Sequence, residues 1–168
     1  MTLNELNRLD RAGFVAALGG IFEHSPWVAE AGFAARPFAS IDALHGAMVA
    51  ALLSASDTQK LALLRAHPEL AGKAALCGEL TPDSTREQSG AGLAACSPSE
   101  FAQITELNAR YKAKFGFPFI LAVKGYDRAG IIAEFARRVE NDRASEFAAC
   151  LQQVAKITRL RLDALLTH

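Results

Sequence analysis

Ser97-Pro98-Ser99-Glu100-Phe101-Ala102-Gln103-Ile104-Thr105-Glu106-Leu107-Asn108-Ala109-Arg110-Tyr111-Lys112-Ala113-Lys114-Phe115-Gly116-Phe117-Pro118-Phe119-Ile120-Leu121-Ala122-Val123 decides the fold. It opens on a capping box with proline at the first helical position. Ile104, Leu107 and Tyr111 form one apolar stripe, and Gly116 ends the helix. The following run, 115–123, cannot be an ordinary helix. It is aromatic and β-branched, and Pro118 sits in its middle. No second strand candidate exists to pair with it. It therefore reads as a buried extended segment inside an otherwise helical protein. Its amides need partners other than a sheet. A ligand is one candidate; side chains and water are the other.

Helix starts recur on both sides of this stretch. Thr2-x-x-Glu5 is a capping box, and Asp10 can cap a helix through Phe14 and Leu18. Ser25-Pro26 places a cap and an N1 proline before 27–35, which Arg36-Pro37 ends. Ser40 starts a stripe of Ile41, Leu44, Met48, Ala51 and Leu52. Ser56-x-x-Gln59 starts a helix carrying Leu61, Leu64 and Arg65 toward His67, and Ser84-x-x-Glu87 reads as a further start. Asp127 opens 131–139. The last helix covers about 145–166, with Phe147, Leu151, Val154, Ile157, Arg161 and Leu165 inward. The expected fold is an all-α, single-domain bundle of about eight helices over 1–168, with one irregular extended segment at 115–123.

Composition narrows the function. The 168 residues are 51% hydrophobic and 21% charged, enough to bury a core. Lys+Arg and Asp+Glu are equal at 18 each, which argues against nucleic acid or an anionic membrane as partner. Arg110, Lys112, Lys114 and Lys124 form an acid-free stretch, read either as a solvated helix face or as a field drawing a small anion. Cys77, Cys96 and Cys150 are odd in number and lack a CxxC, so they read as buried thiols in a reducing compartment. There is no secretory signal pattern and no apolar run long enough to span a bilayer; a cytoplasmic protein is expected. His24, His45, His67 and His168 show no metal-ligand spacing, and there is no Gly-rich phosphate loop or GxSxG elbow. No metal and no cofactor are expected.

Chemistry concentrates between His67 and Gln88. His67 precedes Pro68, so it leaves the α region where its helix ends. The helix dipole there favours the imidazolium, which suits a general acid; a histidine that only closes the helix is the competing reading. Ser84, Glu87 and Gln88 share one face of a helical turn. Ser-x-x-Glu is also the capping-box signature, and both readings hold if a ligand sits over that N-terminus. Gly90 and Gly92 would let another element approach. Arg161, on an inner helix face, needs an anion: an internal partner such as Glu87, or a substrate carboxylate or carbonyl.

Together these residues resemble the OHCU (2-oxo-4-hydroxy-4-carboxy-5-ureidoimidazoline) decarboxylase family. The similarity runs through Leu18-Gly19-Gly20-Ile21-Phe22-Glu23-His24-Ser25-Pro26-Trp27 and Arg36-Pro37-Phe38. It continues through His67-Pro68-Glu69-Leu70-Ala71-Gly72, Ser84-x-x-Glu87-Gln88-x-Gly90-Ala91-Gly92-Leu93, Leu107-Asn108-x-x-Tyr111-x-x-Lys114-Phe115-Gly116-Phe117-Pro118-Phe119-Ile120 and Arg161-Leu162. The resemblance implies an all-helical, cofactor-free homodimer that acts on a small ureidoimidazoline carboxylate in the route from uric acid to (S)-allantoin. It implies His67 and Glu87 as catalytic residues. It implies substrate contacts from Pro68, Ser84, Gln88, Arg161 and the backbone of Phe119, Ile120, Leu121, Ala122 and Val123. Two other readings use the same residues: a helical enzyme acting on another ureide, and a helical interaction module with an exposed apolar groove.

Overall fold

The computed structural model describes residues 1–72, 75 and 78–167. Expectations resting on Lys73, Cys77 and His168 lie outside them. Nine α-helices are described: α1 Leu3–Arg8, α2 Arg11–Leu18, α3 Trp27–Gly32, α4 Ile41–Ser54, α5 Asp57–Ala66, α6 Pro82–Gly90, α7 Pro98–Phe115, α8 Arg128–Arg138 and α9 Arg143–Leu165. Two single turns of 3-10 helix, Phe33–Ala35 and Leu93–Ala95, complete them. No strand occurs among the described residues, only an isolated bridge between Thr2 and Thr167. The all-α expectation holds.

Most starts fall where the capping chemistry places them. Thr2 and Ser97 close full capping boxes with Glu5 and Glu100. Asp10, Ser40 and Asp127 each accept from the amide three residues on. Ser56 and Gln59 exchange bonds in the same way. Two starts differ. Pro26, not Ser25, is the N-cap of α3 and lies in the αR region; the Ser25 hydroxyl donates instead to the Glu23 carbonyl. α6 begins at Pro82, capped by Thr81, whose hydroxyl accepts from the Ser84 amide. Ser84 and Glu87 therefore do not form the cap of their helix.

The chain gathers into two compact units, Met1–Ala66 with Val154–His168, and His67–Gln153. In the first, Leu6, Phe14, Leu18, Leu44, Met48 and Leu52 are fully buried. A Cβ at Gly32 would lie 3.3 Å from the Met48 side chain, so a glycine lets α3 close on α4. Asn7 takes both backbone groups of Phe38 at 2.9 Å, and the Arg36 guanidinium lies 3.6 Å over the Phe33 ring. His45 of α4 bonds the Ala155 carbonyl at 2.8 Å, and burial pulls its pKa below the ordinary value.

The second unit is built on aromatic rings. Tyr111 meets Phe115, Phe117, Phe119 and Phe135 edge-on, with centroids 4.5–6.0 Å away. Phe119 stacks on Phe135 at 3.9 Å, and Arg138 lies 4.4 Å over the Phe119 ring. Each such ring pair is worth about 0.5–1.5 kcal/mol beyond its buried area. Behind them Glu146 accepts from both the Tyr111 hydroxyl (2.7 Å) and Arg138 (2.8 Å). Burial, with Cys150 and Glu146 adjoining, drives the Tyr111 pKa far upward. Cys150 is buried, as expected; Cys96 is half-buried, which the sequence did not suggest.

Candidate active site

α5 ends at Ala66, and His67 follows as a buried residue. Pro68, half-buried, prevents the helix from continuing through His67. The next residues turn sharply. Ala71 takes a left-handed conformation, φ 47°, a strained choice for a residue with a Cβ. The turn is held from two helices. From α6, Gln88 accepts from the Ala71 amide at 3.0 Å and donates to the Glu69 carbonyl at 3.2 Å. From α7, Asn108 donates to the Leu70 carbonyl at 2.9 Å.

Thr81 frees Ser84 and Glu87 from the capping role that Ser-x-x-Glu suggested. Ser84 and Gln88 are buried on one face of α6, and Glu87 beside them is half-buried. Through Gln88, this face joins the turn that follows His67. Gly92 takes φ 77°, and the Arg128 guanidinium approaches where its Cβ would lie. A Cβ at Gly90 meets open space, so its expected role in close approach is not fulfilled.

The segment after Pro118 carries no helix or strand and is largely buried. Phe119, Ile120, Leu121 and Val123 are buried. The Ala122 amide donates to the Gln153 side chain at 3.0 Å, and Arg138 donates to the Ile120 carbonyl at 2.7 Å. At these two positions side chains, not a ligand, supply the missing partners.

Arg161 lies in the first unit. Its guanidinium donates to Glu23 at 2.8 Å and to the Ile21 carbonyl at 3.2 Å, and both side chains of the pair are buried. Glu23 was not among the expected anions. Two of the four basic residues are engaged: Arg110 pairs with Glu140, and Lys114 donates to the Val139 carbonyl. Among the described residues no group of three or more His, Cys, Asp or Glu could hold a metal ion, and no helix is long and apolar enough to cross a membrane.

The unit His67–Gln153 thus carries an imidazole, a carboxylate and buried neutral hydrogen-bonders: His67, Glu87, Ser84 and Gln88. The family model for OHCU decarboxylase matches residues 7–163. The 2-oxo-4-hydroxy-4-carboxy-5-ureidoimidazoline decarboxylase of Haloferax volcanii is 44% identical over 162 residues, 96% of this chain and 94% of that protein. A crystal structure of (S)-allantoin synthase superposes with TM-score 0.78 at 32% identity, covering 99% of this chain and 54% of that one. A crystal structure of OHCU decarboxylase in the presence of (S)-allantoin gives TM-score 0.72 at 25% identity over 95% of this chain and all of that one. The protein is a helical enzyme of the carboxy-lyase class. The chain belongs to the OHCU decarboxylase family.

Proposed function

We propose that residues 1–168 form one catalytic domain that decarboxylates OHCU to (S)-allantoin, with His67 as the proton donor. Membership of the family supports the reaction. The observation that carries the site is the grip of Gln88 on Glu69 and Ala71, which ties the His67 turn to the face holding Ser84 and Glu87.

The chemistry runs on the substrate's own electrons. The carbon that loses CO2 carries a hydroxyl and neighbours a ring C=N bond. As the C–CO2 bond breaks, its pair forms a C=C bond, and the C=N pair moves to the ring nitrogen, which takes a proton. Other decarboxylases borrow a cofactor ring for this step. The enol hydroxyl then loses its proton, and the carbon bearing the ureido group gains one on a single face. His67 supplies that proton. Glu87 orients the imidazole or the substrate hydroxyl and stabilises developing charge. Pro68, Ser84, Gln88 and the backbone of 119–123 fix the ring edges. With Ala122 donating to Gln153, backbone recognition falls mainly to its neighbours. The family resemblance further supports a homodimer working in the cytoplasm, within uric acid degradation.

The test is to feed freshly generated OHCU to the protein and follow circular dichroism. Rapid appearance of (S)-allantoin is expected. A trace indistinguishable from spontaneous, racemic decay refutes the activity.

A further inference from the structure

We propose that Asn108 is a positioning residue for this reaction, holding the Leu70 carbonyl so that the turn after His67 keeps its shape. The inference rests on the assignment of His67 as proton donor. Asn108 projects from α7 and is only 6% exposed. Its Nδ2 donates to the Leu70 carbonyl at 2.9 Å. Gln88, from α6, takes the carbonyl before and the amide after that group. Three backbone groups on two successive peptides, Glu69 O, Leu70 O and Ala71 N, are thus pinned from two helices. Ala71 sits at φ 47°, a conformation that persists only when its surroundings over-determine it. Without Asn108, Gln88 alone would hold a strained turn, and His67, three residues before Leu70, would gain freedom.

A second observation separates positioning from simple packing. The Oδ1 of Asn108 is buried and has no hydrogen-bond partner among the described residues. An unsatisfied buried acceptor costs stability, so a side chain selected for packing would be apolar here. Asn108 matters for its donor, and the donor serves the His67 turn. Aligned proton transfer is sensitive to such support, because a misplacement of about 1 Å costs on the order of a hundredfold in rate.

The experiment compares Asn108→Leu, Asn108→Asp and His67→Ala with the wild-type chain. Four quantities are read: turnover of fresh OHCU, KM, melting temperature, and the His67 imidazole NMR signal, assigned by its loss in His67→Ala. Asn108→Asp keeps the shape and removes the donor. The expected result is a fall in kcat of roughly ten- to a hundredfold in both Asn108 variants. KM should stay within about twofold, (S)-allantoin should lose optical purity, and the His67 signal should move. A changed melting temperature with wild-type kcat, optical purity and His67 signal, beside an inactive His67→Ala, overturns the positioning role alone. A fully active His67→Ala overturns instead the reading on which it rests. Should Asn108→Leu not fold, Asn108→Ser carries the same comparison, since its short hydroxyl cannot span to Leu70.

Discussion

Gln88 holds Ala71 in a backbone conformation that alanine seldom adopts: its Oε1 accepts from the Ala71 amide at 3.0 Å while Ala71 sits at φ 47°. A side chain on one helix thereby sets the geometry of the turn behind His67. Gln88→Leu leaves the buried Ala71 amide unpaired, a cost of about 1–3 kcal/mol, and takes the partner from the part-buried Glu69 carbonyl. Gln88→Glu keeps the acceptor for Ala71 but loses the donor to Glu69 and sets a carboxylate in a buried place. Chemical denaturation should rank the two variants with Gln88→Glu the more stable. Equal stability would mean that the retained Ala71 bond contributes no more than the buried carboxylate costs.

Thr81 and Glu87 separate capping from catalysis. Thr81 caps α6, so Thr81→Ala should lower stability by about 1 kcal/mol with turnover within about twofold of wild type. Glu87 lies beyond the cap. Glu87→Gln should melt near wild type yet lose roughly a hundredfold in rate, the scale for lost acid–base or charge-stabilising groups. A Glu87→Gln enzyme of normal rate would show that its charge is not used.

Legibility in the sequence followed range. Caps, proline stops and the irregular 115–123 run are local, and most appeared where expected. α6 misled because Ser84-x-x-Glu87 fits the capping box as well as Thr81-Pro82 fits a cap and N1 proline. The proline was the better signal, since it fixes φ at a helix's first residue. His67 stood out through Pro68. What orders its turn did not, because Gln88 and Asn108 reach partners 17 and 38 residues away. The Glu23 partner of Arg161 is 138 residues distant, beyond any periodicity.

That pair contrasts with the surface ones. Arg161 and Glu23 side chains are 4% and 2% exposed, so Glu23→Ala removes the carboxylate that faces a buried guanidinium. The expected loss is about 3–5 kcal/mol. Breaking the exposed Arg110–Glu140 pair should cost less than about 1 kcal/mol. Thermal melts of both variants check the difference; similar losses would mean Arg161 does not depend on Glu23.

His45 should shape the acid limb of stability. Burial lowers its pKa in the fold below 6.5, so the unfolded chain binds the proton more readily. Its contribution is fully present above the unfolded pKa and is lost as pH falls from there toward the folded value. Replacing it by glutamine should flatten the stability curve below about pH 6.5. An unchanged curve would place the acid sensitivity elsewhere.

The most direct measurement is the circular dichroism trace of His67→Ala acting on freshly generated OHCU. The variant should keep its fold, since truncating the buried imidazole costs about 0.5–3 kcal/mol, within the stability of a domain. It should yield only the slow, racemic background. A folded His67→Ala that delivers (S)-allantoin at near wild-type rate and optical purity would contradict His67 as the proton donor.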